Sequence, residues 1–350
     1  MKDLRIIVTG AGAPGIAGTI HSLRENPDRR KVAIIGTDIK EDVIGKYICD
    51  EFRTIPKATS PEYLDALVSL CKNERVDVLV PQNTAELLIL SKNRSLFDKI
   101  GVKILVSDYN AIVKANDKFN LMETANRCGV PTTKYTVCSD FDSLANSVKK
   151  IGDNGTAVVK PPMSNGSRGV RIITKSRDRK ADFYNEKPNS LYITLEELHE
   201  TLGDTFPELM VMEYLPGEEY TLDIFRFQDK FVAVPRRREV IRSGITFGAS
   251  LKKDNNLIQY AKVLSDACDL TLCFGFQFKL NKDGIPMLLE SNPRVQGTMV
   301  MSTFCGANVI YASVKALLGE TIPEFNIDWN TRLLRYWGAI GIHESDYVRI

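Results

Sequence analysis

The chain has 350 residues, 46 Lys and Arg against 44 Asp and Glu, 43% apolar and 26% charged residues, and a net charge of +2. That length allows two or three lobes with a sizeable core, and the charge balance excludes bulk attraction to nucleic acid or to a membrane surface. Seven Cys at irregular spacing and only three His (His21, His199, His343) leave little material for a zinc site or a histidine base. No apolar run approaches a membrane span and the start runs directly into a strand pattern, so a cytoplasmic protein with reduced thiols is expected.

Residues 4–8 form a β-branched run that enters Thr9 and the glycine loop Gly10, Gly12, Gly15, followed by a helix over about 16–25. A second strand over 32–36 leads to Asp38. Strand, G-x-G-x-x-G, helix, strand and acid is the dinucleotide-binding pattern. The same spacing serves any strand-to-helix turn that offers amides to an anion or packs a helix tightly on a sheet. Nicotinamide or flavin binding therefore competes with a phosphate or carboxylate at the Gly12 amide and with pure packing. The alternation continues as a helix over 61–73, a strand over 76–80, a helix over 85–99 and a strand over 102–106. Repeated βα units predict a parallel, doubly wound sheet, which binds ligands beyond the carboxyl ends of its strands. Gln82, Asn83 and Glu86 stand at such an end, as substrate contacts or as loop caps.

Asn116 or Asp117 caps a helix running to Cys128, with Lys118 in its first turn, where the helix dipole disfavours a cation unless a ligand compensates. A strand over 157–160 ends in Lys160 and a loop carrying Asn165, Gly166, Ser167, Arg168 and Gly169 leads to a strand over 171–174. A Gly/Ser loop between two strands, with a lysine at its entry, suits the cover of a triphosphate. It is not a Walker A loop, because no Gly-Lys-Ser/Thr opens a helix. Residues 177–188 read as an exposed polar excursion and 195–202 as a short helix.

The strand over 209–214 carries Glu213, placed to meet an adenine edge beside Leu215. After a turn, Glu219 is in reach of a ribose, and Asp223 faces the same side along the next strand, 220–227. A further hairpin leads to the basic cluster Arg236, Arg237, Arg238 and Arg242, which is either a solvated edge or an anion site. A helix over 255–270 presents Leu257, Ala261, Leu264 and Cys268 to a core. A hairpin over 275–294 follows, with Phe274, Phe276 and Phe278 at the period of a half-buried strand and turn chemistry at Asn281, Lys282, Asp283 and Gly284. Gln277, Glu290 and Asn292 share a face of it. One carboxylate and two amide oxygens form a hard donor set suited to magnesium held with nucleotide phosphates, with an ordinary polar edge as the competing reading. Arg294 follows as a cation able to clamp phosphoryl oxygens. Residues 331–342 read as a final strand with Tyr336 and Trp337.

Taken in order, Asp117-Lys118, Lys160-Pro161, the loop through Gly169, Glu213 to Glu219, Gln277, and Glu290-Ser-Asn292-Pro-Arg294 resemble the ATP-grasp superfamily, and most closely the single-module relatives of the carbamoyl-phosphate synthetase large chain. The resemblance covers essentially the whole chain. It implies an α/β protein: a Rossmann-like pre-ATP-grasp domain over 1–114, a two-lobed α+β ATP-grasp module over 115–330 (small lobe about 130–212, large lobe about 213–330) and a C-terminal strand segment over 331–350. By resemblance, Lys118 and Lys160 contact the α- and β-phosphates, and Asn165, Gly166, Ser167 and Gly169 close over the triphosphate. Glu213 and Leu215 frame the adenine and Glu219 the ribose. Gln277, Glu290 and Asn292 hold Mg2+, with Mn2+ as the alternative ion, Gln277 and Glu290 also contact ATP, and Arg294 with Lys160 is catalytic. Arg168 stands where small residues are common. Arg242 stands near a nucleotide-contacting histidine of the synthetase, and Gly12, Asn83, Glu86, Arg236 and Arg238 are the candidate substrate contacts.

A single module with no glutaminase points to carboxylate–amine ligation through an acyl phosphate, with small carboxylate and amine substrates and release of ADP and phosphate. Kinase-like phosphorylation of an amide or carboxylate is the alternative. A dehydrogenase using the first glycine loop and a non-catalytic nucleotide-binding module rank lower. No nucleic acid or membrane partner is expected, and a homodimer through the C-terminal segment is left open.

Overall fold

Apolar runs too short for membrane spans and punctuated by Gly, Asn and Asp fold into alternating strands and helices. In the computed structural model, which describes residues 1–162, 169–175, 178–185, 191–336, 338–343 and 346–349, the first stretch runs β1 (Leu4–Thr9), α1 (Ile16–Arg24), β2 (Val32–Asp38), α2 (Gly45–Ile48), β3 (Glu51–Thr54), α3 (Tyr63–Asn73), β4 (Val78–Val80), α4 (Thr84–Lys92), α5 (Arg94–Asp98), β5 (Lys103–Ile104) and α6 (Tyr109–Asn116). The five strands form a parallel sheet of order β3-β2-β1-β4-β5. Both faces are covered, as parallel sheets require. Ile6 and Val8 pack with Ile16, Ile20 and Leu23 of α1, while Ile7 and Leu79 pack with Tyr63, Leu67 and Phe97. Strand order reverses between β1 and β4, which brings Thr9 and the segment 81–86 to one crevice.

Two expectations change here. The single helix over 85–99 is broken at Asn93, whose backbone and side-chain amides both donate to Ile89 O, closing α4 before α5 begins. The strand over 102–106 shrinks to two residues, and α6, unmarked by strong periodicity, follows it.

The next stretch comprises α7 (Lys118–Arg127), β6 (Tyr135–Asp140), α8 (Phe141–Ile151), β7 (Ala157–Lys160), β8 (Arg171–Ile173), α9 (Arg179–Asn185), β9 (Tyr192–Ile193), α10 (Leu195–Leu202) and β10 (Thr205–Glu213). Its sheet has the order β6-β10-β7-β8-β9. Val159 and Val211 pack against Leu144 and Val148 of α8 and Leu198 of α10. The polar excursion read over 177–188 contains α9, which buries no side chain.

The chain continues through β11 (Glu219–Phe227), β12 (Lys230–Arg242), β13 (Ile245–Leu251), α11 (Asn255–Cys268), β14 (Leu272–Leu280), β15 (Pro286–Asn292), α12 (Val300–Phe304), α13 (Val309–Leu317), β16 (Arg332–Leu334), β17 (Ile340–His343) and β18 (Asp346–Arg349). A six-stranded sheet has the order β15-β14-β11-β12-β13-β16, and β17 pairs with β18 alone. The final strand expected over 331–342 is thus replaced by β16, which pairs with β13, and a separate hairpin; Trp337 lies outside the described residues.

Two compact units result: Met1–Asn116 with Tyr220–Gln277 and Glu290–Ile350, and Asp117–Glu219 with Phe278–Leu289. The first unit is discontinuous because Phe225, Leu272, Cys273, Val295, Met299 and α13 share one apolar core with β1, α1 and β2. Among the described residues no helix is long and apolar enough to cross a membrane.

Candidate functional site

On β14 the alternation is strict: Phe274, Phe276 and Phe278 are fully buried, which leaves Gln277 half-buried on the opposite face. At the end of β15, Glu290 and Asn292 share a face, and Asn292 Nδ2 donates to Glu290 Oε1 at 3.3 Å. The intervening turn closes where Asn281 Oδ1 accepts from the amides of Asp283 and Ile285, and Gly284 takes φ +76. Among the described residues no group of three His, Cys, Asp or Glu side chains is arranged around a metal position.

Arg294 is half-buried. Its Nε donates to Thr84 Oγ1 at 3.0 Å and its Nη1 to Val295 O at 2.8 Å. Burial lowers its pKa, and the carboxylates of Glu290 and Glu86 pull it back up. A guanidinium starts so high that it stays charged.

Beyond Arg294 the chain turns Gln296 into the space left by Gly275: a Cβ on Gly275 would lie 1.4 Å from Gln296 Nε2. Gln296 Oε1 accepts from Arg236 Nη2 at 3.4 Å, while its buried Nε2 has no hydrogen-bond partner among the described residues. Arg236 is itself buried and ion-paired through Nε to Asp223 at 3.2 Å. Burial raises the Asp223 carboxyl and the Arg236 charge opposes that rise. Asp223 was expected on the ribose side; it is instead fully buried beneath Arg236, its diagonal neighbour across β11 and β12. Arg236, a candidate substrate contact by sequence, is here the buried ion-pair partner of Asp223. Arg238 Nε donates to Thr246 Oγ1 at 2.8 Å and its Nη2 to Gly244 O at 2.6 Å. Arg242, near the exposed tip of the β12–β13 hairpin, lies 5.0 Å over the Phe247 ring. Arg335 donates to Pro14 O at 3.2 Å and to Gly297 O, with its pKa lowered by burial and by the like charge of Arg236.

The first glycine loop is a packing device. Its amides are used internally: Ala11 N donates to Thr37 O, Ala13 N to Gly10 O, and Gly12 N to Asp38 Oδ2 at 2.8 Å. Gly12 is therefore not an open anion donor, and Asp38 holds the loop rather than standing free for a ribose. Gly15 is glycine because a Cβ there would lie 2.5 Å from Gly297 Cα. Asn83 caps α4, its Oδ1 accepting from Ala85 N at 3.1 Å, which favours the capping role over ligand contact. Glu86, 5% exposed, accepts from Thr9 Oγ1 at 2.5 Å, and burial raises its pKa against the hydrogen bonds from Thr9 and Tyr63.

In the second unit, Lys118 opens α7 behind the cap Asp117, whose Oδ1 accepts from Asn120 N. Lys118 and Lys160, the last residue of β7, are both buried. Gly169 takes φ +72 against Pro161. Glu213 ends β10 and accepts from Lys134 N, Leu215 is buried, and Glu219 begins β11. Asn165, Gly166, Ser167 and Arg168 lie outside the described residues.

Two family models match: residues 205–333 match "ATP-grasp in the biosynthetic pathway with Ter operon" and residues 6–105 match "PylC-like, N-terminal domain". The carbamoyl phosphate synthase large chain of Clostridium acetobutylicum is 22% identical over 276 residues, 75% of this chain and 24% of that protein. The likeness to an ATP-grasp domain lies in residues 205–333. The chain spans about a quarter of the length of that relative. Biotin carboxylase from Campylobacter jejuni, solved with β-γ-ATP, shares the fold at a TM-score of 0.67 and 17% identity, over 95% of this chain and 74% of that one. The biotin carboxylase domain of Hydrogenobacter thermophilus 2-oxoglutarate carboxylase, described as a dimer with MgADP, ADP and bicarbonate, matches at 0.67 and 15% identity, over 95% and 74%.

The span matched to the ATP-grasp model holds Glu213, Leu215, Glu219, Gln277, Glu290, Asn292 and Arg294, while Lys118 and Lys160 precede it. Sequence reasoning missed three polar residues of the first unit. Gln296 stands two places after Arg294 and could have been flagged by that alternation. Thr84 and Arg335 carry no local signal, since each is defined by a partner distant in the chain.

Proposed function

We propose that the protein is an ATP- and magnesium-dependent carboxylate–amine ligase acting through an acyl phosphate on small molecules. The observation that carries this reading is the adjacency of Glu290 and Asn292 on one strand face with Arg294, whose fork is fixed and whose charge is coupled to Glu290. The ATP-grasp family match and the nucleotide complexes of the solved neighbours support it. In this reading residues 1–114 are the pre-ATP-grasp domain and 115–330 the module.

The donor set fits magnesium. The Glu290 carboxylate and the amide oxygens of Asn292 and Gln277 would hold the ion as hard ligands together with phosphate oxygens. Bound there, the ion would neutralise the crowded phosphate charge. Lys118, Lys160 and the 165–169 loop hold the phosphates, Glu213 and Leu215 the adenine, and Glu219 the ribose, with Arg242 the weakest of the nucleotide assignments. A substrate carboxylate oxygen attacks the γ-phosphorus and ADP leaves. The amine then attacks the acyl carbon, phosphate leaves, and the amine loses a proton. Arg294 stabilises the charge that builds on the transferring phosphoryl group, which demands no side-chain nucleophile. The anionic substrate lies toward Arg238, Arg335 and the Gln296 Nε2, which has no partner among the described residues, whereas the Arg236 charge is already compensated by Asp223.

A matrix of carboxylates and amines scored for ADP release, with mass spectrometry of products, tests the assignment. Release that needs both substrates and yields an amide supports it. A phosphorylated product formed without amine would make the protein a kinase, and absence of ATP binding would defeat both.

A further inference from the structure

The geometry points to Thr84, in the first turn of α4, as the residue that orients Arg294 for its reaction. The argument rests on the ligase reading above and extends it into the N-terminal sheet region, where no catalytic role is expected from sequence.

A guanidinium offers five N–H donors in a rigid planar fork, so two fixed contacts determine where the remaining donors aim. Arg294 has two such contacts, Nε to Thr84 Oγ1 at 3.0 Å and Nη1 to its neighbour Val295 O at 2.8 Å. Its Nη2 has no acceptor among the described residues and is left for a ligand. The Val295 contact is local and moves with the chain. Thr84 is the tertiary contact, and among the described residues it alone ties the fork to a separate element.

That element is rigid. Asn83 caps α4, the Glu86 amide donates to Asn83 O, and the Glu86 carboxyl accepts from Thr9 on β1, so the first turn is clamped to the central strand of the parallel sheet. The position is electrostatically unfavourable for an arginine, because a helix N-terminus carries partial positive charge. A cation held there by a hydroxyl acceptor is placed by design of the fold rather than by bulk attraction. It leaves two positive groups, the Arg294 fork and the α4 terminus, beside one another.

The test compares Thr84→Val, which keeps the β-branched shape and removes the acceptor, with Thr84→Ser, which restores it, and Thr84→Ala as a second hydroxyl-free variant. Loss of a hydrogen bond to a charged group should lower kcat for ADP release by about tenfold or more, with the ATP KM little changed. Thr84→Ser should stay within about threefold of wild type, since it retains the oxygen. A readout that needs no turnover is the Arg294 Nε–H resonance, assigned by its loss in Arg294→Lys. Its solvent exchange should speed up in Thr84→Val and Thr84→Ala and stay slow in Thr84→Ser. Wild-type kcat in Thr84→Val beside an inactive Arg294→Ala would overturn the positioning role, as would unchanged Nε–H exchange. Full activity in Arg294→Ala would instead defeat the ligase assignment, leaving the exchange measurement to decide the contact.

Discussion

Replacing Asp223 by Ala probes the reassignment of Arg236 from substrate ligand to structural partner. Both side chains are withdrawn from water, at 0% and 2% exposure, and their N···O distance is 3.2 Å. Removing one partner of a buried pair leaves the other charge uncompensated and costs about 3–5 kcal/mol. Thr246 Oγ1 and Gln296 Oε1 also accept from Arg236, each at a long 3.4 Å. Urea unfolding of Asp223→Ala should therefore show a loss within that range. Combining Asp223→Leu with Arg236→Met, which replaces the pair with apolar groups, should recover most of it, because well-packed apolar substitutes for buried pairs are near neutral. A loss below about 1 kcal/mol in Asp223→Ala, or a double variant no better than the single ones, would refute the reasoning. So would an Arg236→Met protein of normal stability whose sole defect is a raised substrate KM.

Three further outcomes follow from the same geometry. Gly15→Ala places a methyl group 2.5 Å from Gly297 Cα, and the backbone cannot yield cheaply, so thermal unfolding should report about 1–3 kcal/mol of destabilisation. Glu290→Ala should lower magnesium-dependent ADP formation by about a hundredfold or more while leaving the melting temperature close to wild type; normal turnover would remove the metal assignment. Glu86 has its carboxyl raised above the ordinary 4.5 by burial, so the stability it contributes is fully present below that value and is lost as pH rises through its folded value. Glu86→Gln should accordingly be stabilised relative to wild type at pH about 8 and show little difference at pH about 4, measured by urea titration at each pH. An opposite trend would mean that hydrogen bonding to the ionised form wins over desolvation.

The parts of the fold that were legible in the sequence are those set by local chemistry. The strand and helix of the first βα unit, the β14–β15 hairpin and the core face of α11 follow from periodicity and turn residues that neighbours in sequence supply. The shared face of Glu290 and Asn292 was legible for the same reason, since residues two apart on a strand share a side. What failed depended on distant partners. Gly10, Gly12 and Gly15 fit an anion-binding pattern, but the loop amides of Ala11 and Gly12 meet Thr37 and Asp38, and Gly15 is held close to Gly297. Alternation put Asp223 on a defined face without revealing that Arg236 covers that face. The break at Asn93 interrupts a helical pattern with a residue of ordinary helix tolerance, so composition gave no warning. Arg335 lies beyond the motif series altogether and is recognisable only from its contacts with Pro14 and Gly297.

The acyl-phosphate route is tested most directly by isotope transfer. Carboxylates from the panel, labelled with 18O in both oxygens, are incubated with ATP, magnesium, amine and enzyme, and the released phosphate is analysed by mass. Attack of a carboxylate oxygen on the γ-phosphorus followed by displacement at the acyl carbon predicts one 18O in each phosphate formed. Phosphate free of label, released with amide formation, would contradict the mechanism proposed here.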